Sequence, residues 1–398
     1  MQLAQRGLVK DGYCMAVEGC VTIGLYRHAQ IEWINMRTEK HKYLVIPGPV
    51  EVRPEILDAQ AQWMIGHRST AFAELYARLQ GKLRQAFLTQ NRVFVMGSSG
   101  TGLWEGASRN CIRDGKKALH LVGGAFSQKW AEVSRANGKD IDVIEVEWGT
   151  AHTAQMVADA LQKQAYDAVC VVHNETSTGV TNPMREISAV VRQYEETLLL
   201  VDTVSGFLGA EFRTDEWGVD FALTSSQKAF ALPPGIAFAA CSDRVLERAA
   251  QVKNRGYYFD FIEIEALAKK DNTPSTPPVA LMYAADVQLD AVFAEGLENR
   301  WQRHTQMRDT THNWAHSRGL GLYAQEGFRS PTVTTVANTI GFDIDAMAKF
   351  MSGKGFSMDK GYGKIKGKTF RIAHMGDMQP AVLEEVLSGL DEFLETVK

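Results

Sequence analysis

Lys228 follows a short apolar run, Phe221–Thr224, and precedes another apolar stretch. A lysine drawn out of water loses basicity and becomes an amine able to attack a carbonyl. Asp202 closes the apolar run Leu198–Val201. A carboxylate there is desolvated and needs a cation or hydrogen-bond donors. Residues Gly97 to Gly102 read Gly-Ser-Ser-Gly-Thr-Gly between a strand-like run and a helical stretch. Backbone N–H groups and the helix dipole at such a turn can cradle a phosphate. No Gly-Lys-Ser/Thr follows, and Glu105 stands where a third glycine would complete Gly-x-Gly-x-x-Gly, so neither nucleotide fingerprint is present. Arg371, within the strand-like strip Thr369–Ala373, calls for an anion. Taken singly, these residues also read as packing glycines, a helix cap, a solvated lysine and an internal salt bridge. Taken together, they describe pyridoxal phosphate chemistry. The lysine bonds to the aldehyde, the acid keeps the pyridine nitrogen protonated, the cradle takes the phosphate, and the arginine orients a substrate carboxylate.

Such residues must be brought together by their elements. Short apolar runs recur at Arg92–Met96, Ala118–Val122, Asp142–Val146, Asp167–Val172, Thr197–Val201, Phe221–Thr224 and Ile236–Ala240, alternating with helical stretches. Runs without polar alternation are buried on both faces, which predicts an α/β fold: a mostly parallel seven-stranded sheet covered by helices. Ligands collect at the carboxyl ends of such strands. The polar groups Ser98–Thr101, His173–Thr176, Asp202 and Ser225–Lys228 all fall at those ends. Helical periodicity from about Val279 to Ser317, then short strands, then a helix from Pro380 predict a smaller C-terminal α+β domain. The expected division is an extension at 1–35, an N-terminal arm at 36–65, a large domain at 66–295 and a small domain at 296–398. Residues 1–35 resemble neither a signal nor a transit peptide, and Met36 reads as the natural start of translation.

Composition narrows the class. The chain has 398 residues, 45% hydrophobic and 23% charged, with a net charge of −4. No basic cluster follows a phosphate backbone, so nucleic acid is not an expected partner. No apolar run reaches the roughly 18–20 residues that span a bilayer. The cysteines, Cys14, Cys20, Cys111, Cys170 and Cys241, are odd in number and widely spaced. They predict a reducing compartment, read as the cytoplasm, and neither a disulfide scaffold nor a metal site.

The motifs Pro47-Gly-Pro49, Ser99-Gly-Thr-Gly102 with Glu105, Glu175–Val180, Leu199–Asp202, Ser226-Gln-Lys228, Pro233-Pro-Gly235, Gly296–Asn299, Pro331–Val336 and Arg371-Ile372 occur in one order. In them the chain resembles the class V aminotransferases of pyridoxal phosphate fold type I, in the alanine/serine–glyoxylate branch. The resemblance implies that Lys228 is the Schiff-base lysine and proton shuttle and that Asp202 pairs with the pyridine nitrogen. It implies that Ser99, Gly100, Thr101 and Gln227 hold the phosphate, that Phe126 stacks on the ring, and that Thr176 reaches the ring hydroxyl. Thr276 would contact the phosphate of a neighbouring subunit, implying a homodimer with shared sites. Arg371, with backbone near Gly48, would bind the substrate carboxylate. The implied reaction moves an amino group from serine or alanine to glyoxylate or pyruvate by a ping-pong route. Phe126 where relatives carry Trp, the segment Gly361-Tyr-Gly363, and His374-Met-Gly376 depart from the pattern near the substrate. Other amine donors therefore stay open: an aminophosphonate, phosphoserine or ureidoglycine. The first two would need extra cations, for which Arg68 and Arg255 are candidates. A lyase and a non-catalytic cofactor-binding protein are further alternatives. Cysteine desulfurase fails, because Cys241 lies close to the Lys228 segment and far from the late loop that chemistry needs.

Overall fold

A computed structural model describes residues 41–397. The expectations for residues 1–35 and Met36 fall outside them. The seven apolar runs form one sheet: β1 (Arg92–Met96), β2 (Lys117–Val122), β3 (Asp140–Glu145), β4 (Ala168–Val172), β5 (Leu198–Asp202), β6 (Phe221–Ser225) and β7 (Ala237–Cys241). Its order is β1-β7-β6-β5-β4-β2-β3. All neighbours are parallel except β7, which runs antiparallel to β1 and β6. Alternate side chains feed two cores. Val93, Val95, Leu199 and Val201 pack on one face, and Phe94, Met96, Leu198 and Leu200 on the other. That is why these strands carry no polar alternation, except the half-buried edge strand β3.

The carboxyl ends of β1, β2, β4, β5 and β6 share one edge. Helix α1 (Gly100–Cys111) follows β1, and α2 (Ala125–Ala136) follows β2. The predicted helical run 279–317 breaks into α3 (Val279–Glu295) and α4 (Leu297–Ser317) at Gly296, whose φ is +85°. A second sheet, β8 (Gly321–Leu322), β9 (Val333–Ala337) and β10 (Thr369–Ala373), is antiparallel, in that order. Among the described residues, no helix is long and apolar enough to cross a membrane.

A buried ion pair secures the α3–α4 bend beneath the lysine segment. Arg300 is 2% exposed; its Nη1 meets Glu295 at 2.8 Å and its Nη2 meets Asp377 at 2.9 Å. Nη2 also donates to the carbonyl of Ala229, next to Lys228, at 3.3 Å. Removing one partner strands a buried charge. Arg300→Met is therefore expected to cost about 3–5 kcal/mol of stability, read as a lower urea midpoint for unfolding.

Candidate active site

The cleft at the carboxyl edge of the sheet is lined by Ser99, Gly100, Thr101, Trp104, Phe126, Thr176, Asp202, Gln227 and Lys228, among others. Eight expected site residues thus meet in one place. Asp202 ends β5. Its Oδ2 accepts the Trp104 indole N–H at 2.7 Å and its Oδ1 accepts the Val204 amide at 2.7 Å. Burial pushes its carboxyl up to about 7, against the pull of those two donors.

Lys228 lies in the turn after β6. Burial, and then the Arg371 charge, bring its amine down to about 8, while Asp202, Asp359 and Glu175 oppose the fall. Its Nζ donates to the Pro47 carbonyl and lies 5.5 Å from the Phe126 ring centroid. Gly48 is required beside it. Its φ is +111°, and a Cβ there would sit 2.6 to 3.0 Å from the end of the lysine chain.

The two helix N-termini at the cleft are treated differently. At α2, the buried Glu175 carboxylate accepts the Phe126 amide at 3.3 Å, and the Ser127 amide and hydroxyl at 2.9 Å each. This bond set fixes Phe126 over the cleft. A Cβ on Gly124 would overlap the Glu175 carboxyl. At α1, the N-cap residue Ser99 makes no side-chain cap. By contrast, Ser69, Thr153 and Ser242 each cap the helix that follows them elsewhere in the chain. The first amides of α1 therefore have no side-chain acceptor; the Gly102 amide donates to the Ser99 carbonyl at 3.1 Å, which leaves those of Gly100 and Thr101 toward the cleft. Nearby, the Ser225 hydroxyl and the Asn174 amide nitrogen are buried without partners. An uncapped helix end, an unpaired hydroxyl, a desolvated acid and a desolvated amine are the donor set that a phosphorylated pyridine aldehyde asks for.

Thr176 shares a short hydrogen bond with the Ser205 hydroxyl. Its carbonyl accepts Arg371 Nη1 at 2.9 Å. Arg371 lies on β10, and its fork is bidentate with Asp359: Nε to Oδ1 and Nη2 to Oδ2, both 2.7 Å. The internal salt bridge is thus present; Arg371 does not itself line the cleft but is tied to Thr176, which does, and its charge acts on Lys228. Thr276 is exposed and does not line this cleft, so the role implied for it asks for a second copy of the chain. Arg68 and Arg255 are engaged elsewhere. Arg68 bonds Asn272 and the Thr273 carbonyl, and Arg255 pairs with Asp260 at 2.9 Å. Nothing in the sequence marks Trp104 or Asp359 as site residues, and Asn174 and Glu175 stand out only as members of the polar group at the end of β4. Tyr362 stacks on Phe126 at 5.2 Å and lies 5.3 Å from the Arg371 guanidinium. Only its place in the departing segment Gly361–Gly363 signalled it.

Comparison with known proteins agrees with this geometry. The Aminotransferase class-V family matches residues 57–364. A serine–glyoxylate aminotransferase of Arabidopsis thaliana is 33% identical over 89% of this chain and 90% of its own length. An L-aspartate–glyoxylate aminotransferase of Paracoccus denitrificans is 33% identical over 87% of this chain and 89% of its own. The solved structure of an alanine–glyoxylate aminotransferase from Nostoc sp. superposes with a TM-score of 0.83 at 29% identity, covering 89% of this chain and 95% of that one. The parallel sheet, the cleft at its carboxyl edge and these matches agree: the chain belongs to the class V aminotransferases, of pyridoxal phosphate fold type I.

Proposed function

We propose that this aminotransferase moves the amino group of a small L-amino acid, serine or alanine, to a 2-oxo acid such as glyoxylate or pyruvate. The observation that carries the reading is the buried Lys228 amine, brought down to about 8 in one cleft with Asp202 and the uncapped end of α1. Pyridoxal phosphate is the cofactor of this family member, and when bound it supplies the electron sink that makes the donor's α-hydrogen acidic. Lys228 Nζ, its basicity lowered by burial, would take that proton from the donor's α-carbon and return it in the second half of the transfer. Asp202, held by Trp104 and the Val204 amide, would present its carboxylate to the pyridine nitrogen. Ser99, Gly100, Thr101 and Gln227 would hold the phosphate, Phe126 would cover the ring, and Thr176 would reach the ring hydroxyl. Arg371, with backbone near Gly48, would receive the donor carboxylate. The aminophosphonate and phosphoserine alternatives lose support, since Arg68 and Arg255 are engaged in structural bonds.

The direct test is a half-reaction on the loaded enzyme. L-serine or L-alanine is expected to bleach the visible absorbance of the bound cofactor, and glyoxylate to restore it. Persistent absorbance with both donors would move the assignment to a lyase or to a protein that binds the cofactor without turnover. Lys228→Ala is expected to lose the covalent absorbance and to lower turnover by about three orders of magnitude or more. In the wild type, covalent capture of added cofactor should accelerate as pH rises through about 8, because only the neutral amine attacks.

Asp202 gives a stability signature. Its folded-state pKa is raised, so the neutral acid favours folding. Stability is full at low pH and is lost as pH rises toward and through about 7. Cofactor-free wild type should therefore lose melting temperature between pH 5 and pH 8, and Asp202→Asn should lose less. Equal slopes in thermal melts of the two proteins would contradict this.

A further inference from the structure

Arg371 carries five N–H donors, and the protein itself uses three of them. Nε and Nη2 hold Asp359, and Nη1 holds the Thr176 carbonyl. Two donors remain, one on each terminal nitrogen, for an incoming carboxylate. Asp359 is not placed to swing away. Its Oδ1 also accepts the Gly361 amide at 2.8 Å, and its backbone bridges that of Arg371. Gly361 turns the chain there with φ +81°, and a Cβ on it would lie 2.8 Å from the Thr369 hydroxyl. The pair is also sheltered, its side chains only 6% and 16% exposed, so solvent screens it little.

The charge around the reacting amine is already weighted toward anions. One guanidinium, Arg371, acts on Lys228 together with three carboxylates, Asp202, Asp359 and Glu175. A zwitterionic donor brings one carboxylate to an arginine that still has two N–H groups free. A donor with an acidic side chain brings a second carboxylate, and Asp359 has already answered the arginine's charge. Besides Lys228, the cleft is lined by one further cation, Lys129, but it is exposed, where water and salt reduce its pull.

We propose that Asp359 is a specificity-determining residue of this site: its carboxylate, held against one edge of Arg371, turns away donors that carry a second carboxylate and leaves the site to zwitterionic amino acids. The inference rests on Arg371 receiving the donor carboxylate, as proposed above. The test compares kcat/KM for L-serine and L-aspartate, with glyoxylate as acceptor, in the loaded wild type, Asp359→Asn and Asp359→Ser. The second variant guards against an amide that mispairs with Arg371, and cofactor absorbance per subunit with melting temperature reports folding. The expected result is a shift of the serine-to-aspartate ratio toward aspartate by about tenfold or more, carried mainly by the aspartate KM. A purely structural role would lower both donors alike and leave the ratio where it was. Wild-type turnover with an unchanged ratio in both folded variants overturns this inference alone. Absence of wild-type turnover with any amino acid overturns the reading of the site, and this inference with it.

Discussion

Two cations share a buried site in this protein, and much of the surrounding structure answers them. The Arg371 charge acts on Lys228 through a medium that screens poorly and disfavours the protonated amine. Three carboxylates offset that repulsion: Asp202 from the central sheet, Glu175 from the loop after β4, and Asp359 from the strap before β10. The amine that results is poised near neutrality. A fully solvated lysine would be protonated at the same pH and unable to move a proton off carbon.

The same carboxylates do local structural work that follows from helix-end chemistry. Each helix begins with amides that have no partner inside it. Glu175 takes those of α2 and so holds Phe126 in place. The N-terminus of α1 has no such side-chain partner, and only its Gly102 amide is taken, by the Ser99 carbonyl. One helix end is spent on positioning an aromatic ring, and the other is the end the proposed reading gives to a phosphate. Close backbone approach matters at the same edge. Gly48 lets the Pro47 carbonyl reach Lys228, and Gly100 packs where a Cβ would lie 2.8 Å from Val204.

The second sheet delivers the arginine. β10 lies beside β9 with Arg371 opposite Thr335, and the Thr176 carbonyl ties Arg371 to the loop after β4. Arg300 performs a similar service from the bend between α3 and α4, reaching the carbonyl next to Lys228. Lys228 is therefore braced from the N-terminal segment on one side and from the C-terminal helices on the other.

Six of the seven strands were legible in the sequence because both their faces are apolar, and burial on two sides leaves no room for alternation; the edge strand β3 is only half-buried and carries acids between its apolar residues. Lys228, Asp202 and the turn from Gly97 to Gly102 were legible too, since each is a polar group set at the end of an apolar run. The helical run 279–317 hid its break, because periodicity passes through Gly296 and only the backbone angle reveals the bend. The partners of the site residues were not legible. Trp104 lies 98 positions from Asp202, and Thr176 lies 195 from Arg371. Asp359 is only 12 positions from Arg371, yet nothing in an exposed-looking loop sequence marks it as the occupant of the arginine's fork. Residue types and their places in the strands determined which chemistry the chain can carry. Which donors are spent, which remain open and which charges face one another were decided by tertiary folding, because hydrogen bonds and Coulomb terms depend on distances that sequence separation does not encode.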